Sequence, residues 1–82
     1  MPYSNKAGRV REGDPLTPRE LEILSLLAAG HSSADIAAQL GIVSVTVKSH
    51  LTNIYKKIGA KNRVQAARYY FEHHVAPQGD AA

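Results

Sequence analysis

The sequence predicts an all-α fold, a four-helix domain in which helices two and three form a helix-turn-helix. Three observations predict it. Apolar residues recur with helical period through most of the chain, capping chemistry punctuates that period, and a β pattern is absent. The one β-branched stretch, residues 42–47, is bracketed by a glycine turn and a helical period. Eighty-two residues allow one small domain, which at this size buries only about 60% of the surface its unfolded chain exposes.

Residues 1–15, MPYSNKAGRVREGDP, mix Pro, Gly, Ser, Asn and charges with few large apolar groups and read as a flexible leader or linker. The domain itself is expected over residues 16–76, and the polar stretch from Pro77 to Ala82 reads as a tail.

The first helix is announced by Thr17-Pro18-Arg19-Glu20, with threonine as N-cap, proline at the first helical position and glutamate three residues after the cap. Its period runs to Ala29, and Gly30 is the expected C-terminal stop. Ile23, Leu24, Leu27 and Ala28 share one arc, flanked by Leu21 and Leu26, so this helix is expected to be the most enclosed of the four. Ser32 and Asp35 repeat the capping logic for a short second helix with Ile36, Ala37 and Leu40 inward, ended by Gly41. A tight turn then leads to a longer basic helix, and two helices joined in this way are a helix-turn-helix in sequence form.

That third helix is expected over residues 45–58. At ~100° per residue, Val47, Leu51, Ile54 and Ile58 fall on one stripe, while Val45, Lys48, Ser49, Thr52 and Lys56 fall on the opposite arc. Gly59 is its expected C-terminal stop. Asn62 and Gln65 then cap a final helix running to about His74, with Val64, Ala67, Tyr70 and Phe71 expected inward and Ala66 at the margin.

Charge separates along the chain. Residues 16–44 carry one base against three acids, a net −2, whereas residues 45–68 carry six bases and no acid, a net +6. A local positive field of this kind favours a polyanion, because each neutralised phosphate releases condensed counterions. A helix held to a core on one side, with lysines and short hydroxyls on the other, suits insertion into a DNA major groove.

Other classes find little support. The chain has no cysteine, hence neither a disulfide framework nor a Cys-containing zinc site, and no apolar run approaches the ~18 residues of a membrane span. Residues 1–10 lack the apolar segment of a secretory signal, so a soluble cytosolic protein is expected. No paired carboxylates, glycine-rich phosphate loop or nucleophile with a base suggest an enzyme, and no cofactor is expected. His73 and His74 are adjacent and diverge by ~100°, which rules them out as an i, i+4 metal pair; His31 stands alone, and no metal is expected.

The residues Leu16-Thr17-Pro18-Arg19-Glu20, Leu27-Ala28-Ala29-Gly30, Ile36-Ala37, Leu40-Gly41, Thr46-Val47-Lys48, His50-Leu51, Ile54-Tyr55, Gly59 and Asn62-Arg63 together resemble the LuxR/NarL-type DNA-binding domain. The resemblance spans all four helices. It implies a bacterial transcription regulator of the response-regulator type that binds double-stranded DNA, with helix three as recognition helix and helix four commonly used for dimer contacts. Carried over by position, it implies base contacts from Lys48, Ser49 and Thr52, the arc already reached from periodicity. It implies backbone contacts from Thr46, His50, Lys56 and Lys57, together with Ser32 and Ser33. Gln65, Tyr69 and Glu72 are the expected dimer residues, on a pseudo-palindromic site. The alternative reading is an interaction module whose basic helix grips an acidic protein partner, RNA polymerase among them.

The chain departs from the family at the start of helix three, where Val43 occupies a place usually held by a capping serine or threonine and Ser44 follows one residue late. Whether the helix begins after Val43 or after Ser44 is open at this level. Val45 also stands where the family tends to be polar; it could meet a thymine methyl or simply be an exposed valine. Glu20 and Arg63 are read either as an ion pair joining the first helix to the last, or as a capping glutamate and a phosphate-contacting arginine that never meet.

Overall fold

The computed structural model describes residues 10–74. Within them the chain forms four helices and no strand: α1 (Pro18–Ala28), α2 (Ser33–Leu40), α3 (Ser44–Ile58) and α4 (Arg63–His73). None of these is long and apolar enough to cross a membrane.

The two capping boxes form as the sequence dictates. Thr17 Oγ1 accepts from the Glu20 N–H and Glu20 Oε1 accepts from the Thr17 N–H, and Ser32 and Asp35 repeat the exchange at the start of α2. Each box satisfies donors that a helix start leaves orphaned. At the other ends, Gly41 (φ 71°, ψ 33°) and Gly59 (φ 71°, ψ 24°) take the left-handed conformation that L side chains avoid. The next amides, of Ile42 and Ala60, fold back onto the Ala37 and Tyr55 carbonyls. Gly41 thereby makes the sharp turn that sets α3 across α2.

The core is Ile23, Leu24, Leu27, Ile36, Ala37, Val47, Leu51, Ile54 and Ala66. α1 contributes three of these and packs on each of the other helices, which makes it the enclosed element its sequence predicts. The α3 stripe is seated as expected: Val47 and Ile54 are fully buried, and Leu51 nearly so.

Three expectations are corrected. α3 begins at Ser44, with Val43 as an N-cap that makes no side-chain hydrogen bond, so the helix starts one residue earlier than 45–58. The leader is not free up to residue 15: the Gly13 N–H donates to the Lys57 carbonyl (2.8 Å) and the Arg11 N–H to Asp14 Oδ2 (2.9 Å), so this turn docks on the end of α3. Residues 1–9 and the tail lie outside the described residues. Finally, α4 is rotated by roughly a quarter turn from its expected face. Ala67 and Tyr70 pack inward as expected, but Ala66, expected at the margin, is fully buried, Tyr69 also packs on the core, and Val64 (69% exposed) and Phe71 (54%) face outward. α4 lies mainly against α1, and a small residue at that contact lets the two helices approach closely, which ranking residues by hydrophobicity alone does not capture.

Asn62 caps α4 by accepting the Gln65 N–H, but Gln65 Oε1 accepts from Lys61 rather than from Asn62, so that box is shifted by one residue.

The uncapped start of α3 yields a prediction. Val43 already has the extended backbone (φ −85°, ψ 153°) that Thr17 and Ser32 use in capping, and its side chain is 65% exposed. Val43→Ser should therefore add a cap at little packing cost, stabilising the domain by about 1 kcal/mol. In a thermal melt this is a rise of roughly 4–8 °C; an unchanged or lowered midpoint would count against it.

Candidate nucleic-acid interface

The exposed arc of α3 is built by its own period. Val45, Lys48, Ser49, Thr52 and Lys56 are all exposed, and they lie opposite the buried Val47 and Ile54. No carboxylate occurs anywhere in α3. The Thr52 hydroxyl donates to the Lys48 carbonyl (3.1 Å), so in this rotamer its lone pairs and methyl group are what it offers outward. Thr46 and His50 are half-buried at the margins of the arc. The structure therefore brings Lys48, Ser49 and Thr52 together on one outward face, with Lys56 one turn further on.

Lys57 does not join them. Its ammonium donates to Glu20 Oε1 (2.6 Å) and to the Pro15 carbonyl (3.0 Å), and the two paired side chains are only 10% and 6% exposed. In this structure Lys57 is committed to α1, and its ammonium stands outside the exposed arc rather than facing the solvent where a phosphate would lie. At ~100° per residue Lys57 falls on a flank of the buried stripe, as Lys48 does on the other flank, so the period alone does not separate them; the partner that claims Lys57 is Glu20, 37 residues away on α1.

Glu20 and Arg63 do not meet. Glu20 serves the capping box and Lys57, while the Arg63 guanidinium donates to the His31 carbonyl and so ties the start of α4 to the turn before α2. At that turn the His31 ring also faces the Gln39 amide (3.3 Å). Ser32 is exposed but engaged twice by Asp35, once through its hydroxyl and once through its N–H, and Ser33 is half-buried.

On α4, Gln65 and Glu72 are exposed, whereas Tyr69 is half-buried and stacks on His73 with ring centroids 4.1 Å apart. Val64, Arg68 and Phe71 share the outward face with Gln65 and Glu72.

Residues 14–70 match the family described as bacterial regulatory proteins, luxR family. The chain belongs to that family. Its members are DNA-binding regulatory domains rather than enzymes. Among relatives, the chain is 47% identical over 68 residues to the transcriptional regulatory protein MctR of Rhizobium johnstonii, a match covering 82% of this chain and 32% of the relative. It is 45% identical over 60 residues to the response regulator protein VraR of Staphylococcus aureus, covering 73% and 29%. Among solved structures, the response regulator ChrA of a heme-sensing two-component system superposes with a TM-score of 0.71 at 37% identity, covering 87% of this chain and 34% of that one. The chain thus spans about a third of the length of the relatives it matches. The luxR-family match and the all-α architecture agree with what the sequence implies.

The burial of the Glu20–Lys57 pair predicts an asymmetric mutational response. Lys57→Ala should destabilise the domain by about 3–5 kcal/mol, because it strands a buried carboxylate. Urea denaturation of Glu20→Ala, Lys57→Ala and the double variant should show coupling of more than about 1 kcal/mol. The same cycle between Glu20 and Arg63 should be additive to within about 0.5 kcal/mol.

Proposed function

We propose that this domain binds double-stranded DNA sequence-specifically with α3 in the major groove, and does so as a dimer on a pseudo-palindromic site. The observation that carries the reading is the division of α3, whose apolar stripe is sunk in the core while the opposite, carboxylate-free arc stands in solvent. Lys48, Ser49 and Thr52 lie where base edges would be met, and they take the specifying role. Lys56, Thr46 and His50 take the phosphate contacts that position the helix.

Dimer formation is assigned to the outward face of α4. Val64 and Phe71 lie one above the other there at i, i+7 and are largely exposed, and Gln65 and Glu72 flank them. Half-site centres about one helical turn apart, ~34 Å, follow from placing two copies of α3 in successive major grooves on one side of the duplex. The regulatory role is that of a transcription regulator, consistent with relatives named as a transcriptional regulatory protein and as response regulators.

Titrating duplex DNA into the protein at rising salt tests this reading. The logarithm of the binding constant should fall linearly with the logarithm of salt concentration, and Lys56→Ala should flatten the slope by about one unit. Lys48→Ala should instead change the preference among duplex sequences by about 1–3 kcal/mol at the position it reads. A binding constant indifferent to salt would sink the proposal.

A further inference from the structure

We propose that Val45 is a specificity-determining residue that reads the C5-methyl group of a thymine. This deepens the reading of α3 as the major-groove helix and rests on it.

At 70% exposure, Val45 is the most exposed large hydrophobic side chain among the described residues. It is the second residue of α3 and shares the outward arc with Lys48 at i+3, Ser49 at i+4 and Thr52 at i+7. Its isopropyl group therefore stands among the side chains assigned to the bases, in the first turn, which is the part of a recognition helix that contacts base edges. An exposed β-branched residue contributes nothing to the core here and is no helix-favouring choice either. Its apolar surface can be covered only by an apolar group on the partner. On the major-groove edge of the four base pairs, the thymine methyl is that group. Lys48 and Ser49 read donors and acceptors, and of the neighbours only Thr52, through a single methyl group, could share the apolar contact that Val45 offers with a whole isopropyl group.

The test uses the full chain. Bound sequences are first selected from a random duplex pool, and each thymine of the selected site is then replaced singly by deoxyuridine, which keeps the base-pair hydrogen bonds and removes only the methyl group. Affinities are measured for the wild type, Val45→Ala and Val45→Thr, with thermal melts to verify folding. At one thymine per half-site the replacement should weaken wild-type binding roughly fourfold, the factor expected for one buried methyl group. The same replacement should leave Val45→Ala binding unchanged, and Val45→Thr, of equal shape, should show an intermediate loss. If a sequence is selected but no deoxyuridine replacement couples to position 45, the role of Val45 is overturned while the DNA-binding reading stands. If no sequence is selected at all, the reading of α3 fails and takes this inference with it.

Discussion

The structure depends on α3 being held along one side only. Two devices hold it. Val47, Leu51 and Ile54 sink into the core through its first three turns, and the Lys57 ammonium closes the far end on Glu20. Glu20 is the joint between these parts. One carboxylate oxygen receives both the Thr17 N–H, which starts α1, and the Lys57 ammonium, which ends α3. A buried ion pair needs further hydrogen bonds to offset its desolvation. Here the Pro15 carbonyl and the capping amide supply them, and the Gly13 N–H donates to the Lys57 carbonyl. The beginning of the domain is thereby fastened to the end of α3.

Because the anchoring uses one side of α3, the opposite side is left free of structural duties. Val45, Lys48, Ser49, Thr52 and Lys56 make no contribution to the core, so their identities answer to whatever lies outside it. The balance of charge follows the same division. Of the bases that make residues 45–68 so positive, Lys57 is neutralised internally, while Lys48, Lys56, Lys61, Arg63 and Arg68 remain exposed. The field offered to a polyanion is therefore smaller than a count of lysines and arginines suggests, and it is concentrated on α3 and α4.

What the sequence disclosed follows from the range of the interactions involved. The capping boxes at Thr17–Glu20 and Ser32–Asp35 are exchanges within four residues, and both form as their residues dictate. The buried stripe of α3 is a matter of period, and it too was legible. Glu20 with Lys57, and Arg63 with His31, join residues 37 and 32 positions apart, and no local rule selects those partners over the Glu20–Arg63 pairing. On α4 the fully buried residue is the small Ala66 rather than the larger Val64 or Phe71, a choice that ranking side chains by hydrophobicity does not make. In the candidate site, the exposed arc was readable. The withdrawal of Lys57 from it required the position of α1.

The central claim is the division of α3 into an anchored and a free face, and the most direct measurement is an amide chemical-shift titration of the isotope-labelled protein with a selected duplex. The largest shifts should fall at Val45, Lys48, Ser49, Thr52 and Lys56, with the Glu20 and Lys57 signals nearly unmoved because their pairing survives binding. Shifts centred instead on α1 or on the outward face of α2, with this arc of α3 unchanged, would contradict it.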